Sequence, residues 1–111
     1  MKNGFCLFGL LVGVLTAAAV SFAASAQENF SNDCASCHGE EGKGDTKQGK
    51  KLKVKDYTDP SSLAQMTDAQ LAAAIGEGVK VNGKERMKPF PDYTSEEVNE
   101  LVQLIRSFAK K

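Results

Sequence analysis

Residues 34–38 read Cys34-Ala35-Ser36-Cys37-His38, and the organisation of the chain follows from this run. Two thiols three residues apart, followed at once by an imidazole, form the C-x-x-C-H pattern of covalent c-type haem attachment. On a helix, positions i and i+3 share one face. Cys34 and Cys37 can therefore reach two vinyl groups along one porphyrin edge, while His38 turns its ring beneath the plane toward iron. Five residues set the attachment of one haem c, one axial ligand and the direction of the helix that carries them.

Two other readings of the same run are weaker. A thioredoxin-like redox pair belongs near a βαβ pattern, and the chain lacks the apolar β-branched runs of a buried parallel sheet. A structural zinc site needs four ligands. Past the N-terminal segment the Cys and His residues are Cys34, Cys37 and His38 alone, all within five positions, so no second arm can close a tetrahedron.

Outward from the motif, the chain divides into two segments. It has 111 residues, with 14 Lys and Arg against 14 Asp and Glu, so there is one domain and no net charge that would favour nucleic acid or an anionic membrane. Residues 5–26 carry no charge, whereas every acidic residue and all basic residues but Lys2 lie beyond them. Lys2, the apolar run of residues 5–15 and the small-residue end Ala24-Ser25-Ala26 match a secretory signal cut after Ala26. Twenty-two uncharged residues could also span a bilayer as an uncleaved anchor, but the weakly apolar second half and the cleavage pattern favour removal. The domain is then residues 27–111, exported to the periplasm, with no stable membrane insertion.

Removing the signal also removes Cys6, leaving one cysteine pair. The remaining 85 residues include 15 Leu, Ile, Val and Phe, about 18%, a share at which chains usually fail to bury enough apolar surface to fold. A disulfide across three positions closes too small a loop to compensate. A large apolar cofactor would fill the deficit.

The other axial ligand follows by elimination. His38 is the only histidine, and methionine is the usual alternative in cytochromes c, leaving Met66 and Met87 once Met1 is gone. Met66 precedes the capping-box pattern Thr67 to Gln70 and reads as packing at a helix junction. Met87 lies in the stretch 83–91, read as an irregular loop stiffened by Pro89 and Pro91, which can hold a thioether at a fixed distance from a ring. The alternative for Met87 is an adaptable core methionine.

Periodicity makes the remainder helical. A short helix is expected over residues 29–38, loop over 39–59 with its glycines and lysines, a turn over 61–65, and a helix over 67–77 with Leu71, Ala74 and Ile75 at helical spacing. The last helix has a capping box at Thr94 and Glu97 and the apolar stripe Val98, Leu101, Val102, Ile105 and Phe108.

With these features the chain resembles the class I cytochromes c, in particular the small bacterial periplasmic kind, along the whole segment after the signal. The resemblance implies an all-α fold of three to five helices around one covalently bound haem, with the N- and C-terminal helices crossing. In that family an aromatic four residues before the first haem cysteine packs on a Leu-x-x-aromatic pair. Here these positions are Phe30, Leu101 and Leu104, so the last is aliphatic. Two further departures stand out. The small residue four before the aromatic is Ala26, at the predicted cleavage point. No proline lies between His38 and Pro60 to offer the carbonyl that usually accepts from the proximal imidazole.

The expected function is electron transfer, not enzymatic catalysis: iron cycles between ferrous and ferric states with His38 and Met87 bound, on the oxidising side of a respiratory chain. The alternatives are a haem c docking subunit of a larger oxidoreductase complex, or an open-site haem enzyme or gas sensor. A single histidine serves a distal acid–base role poorly. Redox partners have a possible landing area, because residues 43–55 carry six lysines against Asp45, and residues 80–88 add four basic groups against Glu85. Such segments would steer an acidic donor or acceptor, or else are solvated loops.

Overall fold

The fold was analysed in a computed structural model that describes residues 9, 12–14 and 25–110. The predicted signal, residues 1–26, thus lies outside the described residues apart from a few positions. The described chain is mostly helical, in the order α1 (Ala26–Asp33), α2 (Ala35–His38), α3 (Lys47–Leu52), α4 (Asp68–Glu77), a hairpin of β1 (Val79–Val81) and β2 (Lys84–Met87), and α5 (Ser95–Ser107). Short 3-10 turns at Pro60–Ser62 and Phe108–Lys110 complete it.

The helix expected over residues 29–38 is two helices. Cys34, at φ −119° and ψ −35°, interrupts the regular ladder between α1 and α2, although its N–H still donates to Phe30 O at 2.9 Å and His38 N–H to Cys34 O at 2.9 Å. The helix also begins three residues earlier than expected. Ser25 is its N-cap, with its hydroxyl accepting from Glu28 N–H at 3.2 Å, and a cap of this type contributes about 1 kcal/mol.

Helix α1 packs against α5, and α4 packs on the same helix. Phe30 and Leu101 are fully buried, and Val102 is almost so. The aromatic partner of Phe30 is Phe108, with ring centroids 5.2 Å apart, rather than a residue at position 104. Leu104 is only half-buried at the edge of the core. The apolar stripe on α5 otherwise falls as the period requires, with Leu101, Val102, Ile105 and Phe108 inside. Both capping boxes form, Thr67 with Gln70 and Thr94 with Glu97. Arg106 ties α5 to the start of α4, donating to Asp68 Oδ1 and, at 2.7 Å, to Met66 O.

Two segments read as loops are structured. Within residues 39–59, α3 forms because Thr46 caps it, its hydroxyl accepting from Gly49 N–H at 2.9 Å and donating to Cys37 O at 2.6 Å. The helix is thereby fastened to the haem motif, which compensates for its lysines and its few apolar side chains. The stretch around Met87 is the second strand of an antiparallel hairpin that turns at Asn82 and Gly83, at φ +53° and +76°. Two successive positive φ values are what an Asn-Gly turn supplies. Met87 pairs with Val79 and Glu85 with Lys80, so Arg86 is a bulge between them.

The Phe30–Phe108 contact yields a paired test. Phe108→Ala should cost about 3–5 kcal/mol, the range for a buried aromatic, whereas Leu104→Ala should cost clearly less because its side chain is only partly removed from water. Chemical denaturation of the two holoprotein variants measures both; equal losses would return Leu104 to the pairing with Phe30.

Candidate functional site: a cavity behind the haem motif

The helices, the hairpin and the loops between them border a cavity of about 880 Å³ that is open to solvent on one side. One wall is the motif itself, with Cys34, Cys37 and His38; Leu63, Leu71, Ala74 and Tyr57 continue it, and Met66, Val79, Met87 and Phe90 bring in the α4 and hairpin side. A smaller void of about 40 Å³ is bordered by His38 and Met87 together with Phe30, Leu101 and Ile105. Met66 and Met87 thus both reach the main cavity, but of the two only Met87 shares the second void with His38.

Three backbone contacts fix the chain at and next to Met87. Its strand partner is Val79, and Phe90 N–H donates to Ile75 O at 2.9 Å just beyond it. Gly78, at φ +78°, lets the chain pass so close that a Cβ there would stand 2.6 Å from Met87 O and 2.9 Å from Pro89 N. Farther on, Tyr93 donates a hydrogen bond to Asp33, joining this segment to the residue before Cys34. Burial and that carboxylate hold the Tyr93 hydroxyl well above its ordinary range.

The electrostatics at Cys34 weigh against thiol redox chemistry. The cysteines are free, and Cys34 is buried. Burial pushes its thiol up to about 11, with further increments from Asp33 and Cys37, whereas reactive dithiols need a depressed value. No cluster of three or more Cys, His, Asp or Glu able to hold a metal ion occurs among the described residues. Burial lowers the His38 pKa, so the imidazole is neutral and free to donate a lone pair near neutral pH. Its Nδ1 is buried without a hydrogen-bond partner.

One residue of the site went unnoticed in the sequence. Tyr57 stacks on His38 with centroids 5.1 Å apart and planes 17° from parallel, and burial pushes its hydroxyl up to about 12. The available signal was that Tyr57 is the only aromatic in residues 39–59. Nothing in periodicity connects it to the motif.

A family model described as Cytochrome c matches residues 23–109. The chain belongs to the cytochrome c family. Among solved structures it is similar to the KustC0563 c-type cytochrome, at 29% identity and a TM-score of 0.66 over 76% of this chain and 96% of that one. A tyrosine-to-phenylalanine variant of Kustc0563 matches at 30% identity and a TM-score of 0.65, over 76% and 98% of the two chains. No curated protein matches the sequence.

As a cytochrome c the chain carries covalently bound haem c with its iron and is a haem-c electron carrier. The site fits that group. A cavity with a largely apolar inner wall and charged residues at its border stands against two free thiols and a half-buried neutral imidazole in a chain otherwise poor in core residues.

The backbone packing at Gly78 should be directly measurable. Gly78→Ala places a methyl against the Met87 and Pro89 backbone at positive φ and should cost about 1–3 kcal/mol. Gly76→Ala, in α4 with nothing within 4 Å of its Cβ, should stabilise by up to about 1 kcal/mol through helix propensity. Denaturant midpoints of the two variants read the contrast; a neutral Gly78→Ala would contradict the close approach.

Proposed function

We propose that this cytochrome c is a periplasmic electron carrier whose haem is bound through the Cys34 and Cys37 sulfurs, with His38 as proximal and Met87 as distal iron ligand. The observation that carries the reading is the cavity itself: its wall includes both thiols, the imidazole and the Met87 side chain, and His38 and Met87 also meet at the smaller void. When bound, the haem iron supplies the one-electron couple. The chain's own part is to hold a neutral imidazole and a neutral thioether toward it and to keep water out with Leu63, Leu71, Ala74 and Phe90. A thioether and apolar surroundings both favour ferrous iron and raise the potential.

A carrier needs no acid–base group beside the iron, and the cavity wall is consistent with that. Its carboxylates are Asp33, which accepts from Tyr93, and Glu85, exposed on the hairpin.

The periplasmic assignment rests on residues 1–26 as an export signal cleaved after Ala26. No helix among the described residues is long and apolar enough to cross a membrane. Such a cut would take away the Ser25 cap and leave a cationic α-amino group at the start of α1, where the helix dipole disfavours it.

Docking of a redox donor or acceptor is supported by where the basic residues stand. Lys53 and Lys55 from one lysine-rich segment, and Arg86 and Lys88 from the other, are exposed and border the same cavity. An acidic partner surface would be drawn to the side where electrons enter and leave. Its electron-transfer rate constant should then fall as salt rises, because the Debye length shrinks from about 10 Å at 0.1 M to about 3 Å at 1 M. A salt-independent bimolecular rate would make these lysines solvated groups only.

Because Met66 also reaches the cavity, the ligand assignment is tested on the pair. Met87→Ala should abolish the ferric sulfur-to-iron charge-transfer band, admit carbon monoxide and lower the potential. Met66→Ala should leave all three near wild type. Carbon monoxide binding by the unmodified protein, or an opened iron in Met66→Ala instead, would overturn the assignment.

A further inference from the structure

A metal-bound histidine ordinarily donates its second ring nitrogen to a carboxylate, carbonyl or water, which fixes the plane of the ring. His38 has no such acceptor among the described residues: Nδ1 is buried and unpartnered. The terminal torsion of a histidine is broad, so some other contact must define the plane. Phe30 is tilted by 42° at 6.5 Å and offers no parallel face. Tyr57 does, at 5.1 Å and 17°.

Tyr57 is itself firmly held. It is the middle residue of a turn in which Asp56 Oδ1 accepts from Thr58 N–H at 2.9 Å and from Thr58 Oγ1 at 2.6 Å. Its own N–H donates to Gly42 O at 2.7 Å. Gly42 in turn lies against Phe108, where a Cβ would come within 2.6 Å of the ring. A continuous set of contacts therefore runs from the α1–α5 packing through Phe108, Gly42 and Tyr57 to the imidazole.

We propose that Tyr57 is a positioning residue for His38, its ring setting the imidazole plane in place of the hydrogen bond that Nδ1 lacks. This rests on His38 as an iron ligand. It is the aromatic face that acts, and the hydroxyl is dispensable.

The test uses ferric holoprotein, in which the spread of the haem-methyl proton resonances depends on the orientation of the axial ligand planes. Tyr57→Phe keeps the face and should retain the wild-type pattern; Tyr57→Leu removes it and should rearrange the pattern. An unchanged pattern in Tyr57→Leu would reduce Tyr57 to filler, and equal rearrangement in both variants would assign the effect to the hydroxyl; either overturns the proposal. In case Tyr57→Leu loads poorly, reduced wild-type protein gives a second readout: nuclear Overhauser contacts between the Tyr57 and His38 rings are expected, and their absence contradicts the stacking. The same spectrum checks the premise, since His38 ring protons without the strong upfield shift of an axial ligand would overturn the ligation, and this proposal with it.

Discussion

The rest of the structure depends on a shortage of apolar side chains. A domain with so few large aliphatic and aromatic residues cannot close a core by itself. This one instead spends them on two tasks: Phe30, Leu101, Val102 and Phe108 join the first and last helices, and Leu63 and Leu71 help wall a cavity of about 880 Å³. The haem that the family carries completes the second layer. Stable folding should therefore depend on the attached haem, as small metal-dependent domains depend on their metal.

That constraint explains why so much of the irregular chain is fastened to the motif. Thr46 bonds the Cys37 carbonyl, Gly44 N–H donates to His38 O at 2.8 Å, and Tyr93 reaches back to Asp33. Each tie spans sequence and closes a segment that has little apolar surface of its own. The hairpin is treated in the same way, tethered by the Phe90 to Ile75 hydrogen bond and by the tight passage at Gly78. The cavity is thus bordered by elements held partly by polar contacts to α1 and α2 and partly by contacts to α4, with the lysine-rich edges of α3 and the hairpin exposed at its border.

What could be read from sequence was what depends on local spacing. The C-x-x-C-H run, the two capping boxes and the α5 stripe are each defined within a few residues, and the all-α class follows from them. The absence of proline between His38 and Pro60 left the Nδ1 acceptor unassigned in the sequence, and the structure gives Nδ1 no partner. Helix α3 was hidden because its main stabilising contact, Thr46 to Cys37, joins residues nine apart with no pattern between them. The hairpin carried its Asn82-Gly83 signal, but strands of three and four mostly charged residues look like loop. Leu104, on α5, and Phe108, in the 3-10 turn that continues it, lie four residues apart, and only the seating of α5 brings the Phe108 ring onto Phe30 while Leu104 stays at the edge of the core. Tyr57 owes its place to tertiary packing throughout.

The measurement that tests the central claim most directly is hydrogen exchange on the chain produced without haem attachment, as Cys34→Ser with Cys37→Ser, against the holoprotein. If the haem completes the core, amides of α1 and α5 that are protected in the holoprotein will exchange at nearly random-coil rates in the haem-free chain, with no cooperative thermal transition. Protected α1 and α5 amides and a sharp transition in the haem-free chain would contradict the account, because fifteen large apolar residues would then suffice to hold the fold.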